Sequence, residues 1–309
     1  MAGCAEKIFD CGFKITTLFK SIQRRALLSL PPLLLAAVLI SAVVCRVHIG
    51  VTPYTVELEG LSGEVRLVLV SDLHGMTFGR DNARLVGLIE GESPDFIAVD
   101  GDMIDRDAPD EDVRSMLSLI SELCKIAPVY FAPGNHEDSY IEQNGTALLD
   151  AIREAGATVL NDSFVDVIHG GAALRIGATT GHGFPFGRTW AEFEASDEYV
   201  FLKEMEKADV PTVVMAHMPD TFIFNSAAEY WSNIDLVLSG HTHGGVIRLP
   251  FVGGVYAPMQ EFFPYYDKGH FHLDDEMQMI VTAGLAGYEW VPRLFNPPEI
   301  CTVTLIPKK

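Results

Sequence analysis

The stretch "VRLVLVSDLHG", residues 65–75, decides the fold: a run of Val and Leu broken only by Arg66 stops at a D-x-H pair beside a glycine. A short apolar run bounded by turn residues reads as a strand buried on both faces, as in a parallel sheet covered by helices. Alternate residues of an extended segment face the same way, so Asp72 and His74 can aim at one point. The pattern recurs down the chain. "DFIAV" (95–99) runs into "DGDMID" with Asp102, and "VYFA" (129–132) into "PGNHE" with Asn135 and His136. "TVVMA" (212–216) precedes His217, and "DLVLS" (235–239) precedes "GHTHGG" with His241 and His243. Ligands of open α/β sheets gather at the carboxyl ends of strands, where all five of these polar groups stand.

Between the apolar runs lie amphipathic segments that predict helices near 82–90, 111–124, 146–155 and 198–207. "VTPYTVEL" (51–58) predicts an edge strand, and 164–169 with 174–178 a hairpin across Gly170-Gly171. "VIRL" (246–249), "QMIVTA" (278–283) and "ICTVTLI" (300–306) predict further strands. Strands separated by helices imply crossover connections, hence an α/β domain with sheets packed face to face and helices outside.

The donor set is carboxylate, amide oxygen and imidazole, which suits manganese, iron or zinc; calcium prefers an all-oxygen cage. The 309 residues carry 42 acidic and 22 basic side chains, a formal charge of −20. That balance repels a phosphate backbone, so nucleic acid is not an expected partner. The five cysteines, at 4, 11, 45, 124 and 301, form no C-x-x-C pair and no disulfide scaffold.

From Ala26 to Cys45 the chain runs 20 residues without a charge, the length that crosses about 30 Å of hydrocarbon. Lys7, Lys14, Lys20, Arg24 and Arg25 precede it, which keeps the amino terminus cytoplasmic and sends the rest outside. "QRRALLS" resembles a twin-arginine export signal. The expected organisation is a cytoplasmic tail (1–25), a transmembrane anchor or uncleaved signal (26–45) and one extracytoplasmic domain (46–309).

"SDLHG", "GDMID", "GNHE", "AHMPD" and "GHTHGG" occur in the order and form of the calcineurin-like metallophosphoesterase family, which this chain resembles over about residues 65–245. The tail "GLAGYEWVPRLFNPPEI" (284–300) resembles the membrane-associated bacterial branch that includes the YkuE and YaeI phosphodiesterases. The resemblance implies a four-layer α/β/β/α sandwich and two divalent ions. It implies Asp72, His74 and His243 on one ion, Asn135, His217 and His241 on the other, and Asp102 bridging both. His136 is then the non-ligand catalytic histidine, near the phosphoryl oxygens or the leaving group. The implied reaction is attack by metal-bound hydroxide on a phosphoester, a diester before a monoester. A phosphomonoesterase of the same fold and a non-catalytic metal-binding module are the alternatives. The H-x-H of the metallo-β-lactamase type would continue as H-x-H-x-D-H, but Gly244, Gly245 and Val246 follow here.

Asp105, Asp138 and Asp220 read as residues that orient ligands or start helices, and "DAPDED" (107–112) as a solvated loop with helix-start charges. His48, His169, His182, His270 and His272 match no ligand motif; His182 stands in a glycine-rich loop that could overhang the site. "EFFPYY" (261–266) and "GYEW" (287–290) either pack terminal strands or line an entrance for an envelope or lipid-linked phosphodiester.

Overall fold

The computed structural model describes residues 31–181, 190–223, 233–273, 277–288 and 291–309. His182 and the last two residues of "GYEW" lie outside them. The chain divides into Met1–Val44 and Cys45–Lys309. Residues 31–47 are helical (α1), and those of the first unit expose Leu33, Leu34, Leu35, Leu39 and Ile40. Among the described residues no helix is long and apolar enough to cross a membrane.

The second unit holds two six-stranded mixed sheets. The first orders β1 (Gly50–Leu58), β16 (Glu299–Pro307), β2 (Val65–Val70), β3 (Phe96–Asp100), β4 (Val129–Ala132) and β5 (Thr158–Val159) side by side. β2 to β5 run parallel, and β16 lies antiparallel to β2. β1 is the edge strand, the place where Pro53 is tolerated. The second sheet orders β14 (Gly269–His272), β15 (Gln278–Val281), β9 (Leu236–Ser239), β8 (Thr212–Met215), β7 (Ala172–Ala178) and β6 (Ser163–His169). The β6–β7 hairpin forms across Gly170-Gly171 as the alternation predicts.

Strand alternation assigns side chains to layers. Leu67, Leu69, Phe96 and Ala98 meet Ile176, Val213, Met215 and Leu238 in one core between the sheets. The opposite faces, Val68, Val70, Ile97 and Phe131, pack on α2 (Ala83–Gly91), α3 (Asp110–Leu123) and α5 (Ala147–Glu154). In the second sheet Val214, Val237 and Val281 pack on α6 (Trp190–Glu194), α7 (Asp197–Met205) and α8 (Asp220–Ile223) through Phe193, Phe201, Leu202 and Phe222. Both sheets and all three cores lie within Cys45–Lys309, so this unit carries its own fold.

Two stretches depart from expectation. "GNHE" opens a helix, α4 (Asn135–Asn144), where the pattern showed only a motif. "VIRL" contributes only β10 (Arg248–Leu249), because the chain leaves β9 through a 3-10 turn at His243–Gly245 and Val246 takes φ 56°. β10 pairs with β11 (Gly253–Gly254), and β12 (Tyr256–Ala257) with β13 (Glu261–Phe262), making two short ribbons.

The turns after β3 and β4 touch at backbone distance. A Cβ on Gly134 would lie 2.2 Å from Asp102 Oδ1, whereas one on Gly87, exposed in α2, meets nothing within 4 Å. Gly134→Ala is therefore expected to lower unfolding stability by more than about 2 kcal/mol, and Gly87→Ala to raise it by about 0.5–1 kcal/mol. Denaturant titration of both variants checks the pair; equal effects would refute the close-approach argument.

Candidate metal centre

The exits of β2, β3 and β4 in one sheet and of β8, β9 and β15 in the other face a common space, and backbone bonds stitch them together. Asp72 N–H and His74 N–H donate to the Gly101 and Asp102 carbonyls, and Ala286 N–H donates to the Asp72 carbonyl at 2.7 Å. Between sheets, His241 N–H donates to Asp72 Oδ1 at 3.0 Å. Asp72, His74, Asp102, His241 and His243 all hold positive φ, between 46° and 64°. Asp and His tolerate this region better than β-branched residues do.

Three donor groups gather there: Asp72, His74 and His243; Asp102, His217 and His241; and His74, Asp102 and His136. The first two match the expected ion partners, with Asp102 in the second and third. Its Oδ1 is tied to His136 N–H at 2.9 Å, at the start of α4. Its Oδ2 faces inward, 3.0 Å from His217 Nε2 and 3.7 Å from His74 Nε2, imidazoles expected on different ions. Two donors about 2.1 Å from one ion and at right angles to each other stand about 3 Å apart.

Ring orientation follows from what the other nitrogen does. His217 Nδ1–H donates to the Asp100 carbonyl at 2.7 Å, His74 Nδ1 lies 2.7 Å from Asp105 Oδ1, and His243 Nδ1 lies 3.3 Å from the Ala286 carbonyl. His74 Nε2, His241 Nε2 and Asn135 Oδ1 are buried without a hydrogen-bond partner, and His217 Nε2 faces only Asp102 Oδ2, at 3.0 Å. Such orphaned atoms are costly unless a ligand satisfies them. Three of them, together with His217 Nε2 and two carboxylates, fit a pair of divalent ions.

The electrostatics differ among the donors: His241 and His243 are held neutral, whereas His217 is held protonated against Asp102. Burial, and then the neighbouring His217, push the His241 pKa down to about 3; burial, and then His74, hold that of His243 well below its ordinary value. Both are thus neutral, the ligating form. Burial disfavours the charged forms of Asp102 and His217. Their mutual attraction overcomes it, lowering the pKa of Asp102 well below the usual carboxylate value and raising that of His217 well above the usual imidazole value. Hydrogen bonds to His136 and then His74 keep Asp105 ionised far below the usual range.

Two supporting devices escaped the sequence reading. Fully buried Glu137 accepts four backbone N–H groups: Asp102 and Gly134 on Oε2 at 2.7 and 2.8 Å, Met103 and Ile104 on Oε1 at 2.7 and 3.1 Å. The signal available was its place three residues after Gly134, the return position of a capping box. The second device is the tail. Asn296 Nδ2 donates to the His243 carbonyl at 2.7 Å and the Val246 carbonyl at 3.2 Å. The buried Arg293 guanidinium donates to the Ala283, Ala286 and Asn296 carbonyls.

The pocket over the donors encloses about 480 Å³, with Met76, Pro258 and Tyr288 beside Asp105, Arg106 and Asp107. Among the described residues of that lining Arg106 is the one Lys or Arg. His136 Nδ1 lies 3.3 Å from both Arg106 N and Asp105 Oδ1, and its ring stands edge-on to His74 at 4.7 Å. A cleft of about 740 Å³ at the amino ends of β8 and β9 contains none of the donor groups. Asp220 begins α8, and His169 and His270 bond to Tyr130 and Gln278 outside the site.

Residues 65–245 match the calcineurin-like phosphoesterase family. An uncharacterized metallophosphoesterase of Aquifex aeolicus is 31% identical over 259 residues, covering 82% of this chain and 91% of its own. One from Helicobacter pylori strain J99 is 30% identical over 267 residues, 85% of this chain but 65% of its own. Phosphodiesterase YaeI of Escherichia coli is 26% identical over 245 residues, covering 78% of this chain and 82% of its own.

Glu137→Gln keeps the shape and turns one end of the carboxylate into a donor facing N–H groups. It is expected to cost about 2–4 kcal/mol and lower the melting temperature by roughly 5–10 °C. Asn296→Asp puts an acceptor against carbonyls and is expected to loosen His243, leaving about one tightly held ion per chain by elemental analysis. Unchanged metal content and melting in these variants would remove the assigned supports.

Proposed function

Because this chain belongs to the calcineurin-like phosphoesterase family, we propose that it is a membrane-anchored, outward-facing phosphodiesterase working with two divalent ions of manganese, iron or zinc. The observation that carries the reading is the gathering of buried imidazole and amide atoms from the exits of both sheets at the pocket that holds Asp102. Asp72, His74 and His243 would hold one ion, Asn135, His217 and His241 the other, and Asp102 both. When bound, such a pair polarises a phosphoryl oxygen and lowers the pKa of water.

The chain's own groups supply the rest. His136 Nε2 makes no hydrogen bond with the described residues, so this nitrogen can hold a proton for the leaving-group oxygen. Asp105 orients the His74 and His136 rings. Arg106, set between Asp105 and Asp107 at the mouth, leaves that segment with a net negative charge, which suits a singly charged diester better than a doubly charged monoester. The uncharged run 26–45 with its basic flank, and the exposed leucines of α1, support the anchor and an envelope or lipid-linked substrate.

Residues 45–309, loaded with manganese, are expected to release nitrophenolate from bis(p-nitrophenyl) phosphate faster than from p-nitrophenyl phosphate. Asp102→Ala abolishes turnover, and His136→Ala lowers kcat at least about a hundredfold while keeping its metal content. Wild-type protein that binds two ions yet cleaves neither ester would favour a non-catalytic metal-binding module.

A further inference from the structure

An unbroken series of rings leads out of the metal site. His243 lies 5.5 Å from Tyr288, Tyr288 lies 6.0 Å from Tyr256, and Tyr256 lies 5.6 Å from Phe262, all centroid to centroid. Tyr256 and Phe262 are directly opposed across the β12–β13 ribbon, so pairing fixes their contact. That ribbon packs on the His243–Gly245 turn, which roots the series in the ligand-bearing segment itself. At its outer end Phe262 is 70% exposed and Phe263 61%. Large apolar side chains clustered at such exposure mark binding surfaces.

The occupant follows from where the series begins. It starts at His243, a proposed ion ligand, and its next ring, Tyr288, lines the pocket with Pro258, while the charged lining residues Asp105, Arg106 and Asp107 belong to a different segment. A phosphoester seated over the donors thus meets an apolar direction and a charged one. We propose that this site takes an amphiphilic phosphodiester, with one alcohol group a long apolar chain lying along Tyr288, Tyr256 and Phe262. The assignment rests on the phosphodiesterase reading above.

Each methylene taken out of water is worth up to about fourfold in binding. The test uses residues 45–309 with manganese and the methyl, butyl and octyl esters of p-nitrophenyl phosphate, all as monomers. In wild type, kcat/KM is expected to rise at least about tenfold from methyl to octyl, mostly through KM. Phe262→Ser and Tyr256→Ser reduce the octyl-to-methyl ratio below about threefold, whereas Ile168→Ser, 74% exposed on β6, keeps it. A ratio near one in wild type, or one unchanged in both track variants, overturns the proposal. Calorimetric binding of methyl- and octylphosphonate gives the same ratio without cleavage, so failure of the track and failure of the hydrolase reading are distinguishable. Phosphatidylcholine vesicles that inhibit octyl-ester turnover in wild type but not in Phe262→Ser identify a bilayer lipid as the source. Full turnover in their presence identifies a free amphiphile.

Discussion

The carboxylate of Glu137 is the constraint on which the centre depends. Four backbone N–H groups converge on it from the turns after β3 and β4, and those turns carry Asp102, Asn135 and His136. A buried carboxylate is costly to desolvate, and hydrogen bonds from charge-complementary donors offset that cost. The donors here are main-chain groups, so the bonds position backbone. Asp102 is thereby held at φ 51°, with one oxygen on the start of α4 and the other toward the histidines.

That arrangement explains why so many expected ligands stand in the left-handed region. A strand leaving a sheet must turn sharply if its next side chains are to face the neighbouring sheet. Each such residue costs about 1 kcal/mol or more. The cross-links His241 N–H to Asp72, and His217 Nδ1–H to the Asp100 carbonyl, join turns from opposite sheets and hold them in place. The core between the sheets sets their spacing, and the exits are tied where the cores end.

The tail extends the same logic beyond the region matched by the family. Arg293 gathers three carbonyls and Asn296 braces the His243 turn, so the segment before the last strand is part of the centre. Because β16 sits between β1 and β2, that segment is delivered to the exit of β2. Ala286 there bonds Asp72 through its N–H and approaches His243 through its carbonyl.

Much of this was legible residue by residue. Apolar runs of four to six residues identified the strands, and the polar group after each identified the donors, because both are patterns of near neighbours in the chain. The same local logic missed α4, whose start is hidden in a motif rich in special residues, and overextended the strand at "VIRL", where positive φ interrupts pairing. What the sequence determined by itself was the kind of donor at each strand end, and so the metal chemistry available. Only the tertiary structure decided which nitrogen of each ring faces inward, that Glu137, Arg293 and Asn296 hold the turns, and that aromatic residues continue outward from His243. Those contacts join segments as far apart as His241 and Asp72, 169 positions along the chain, and such pairs meet only once two sheets pack in register.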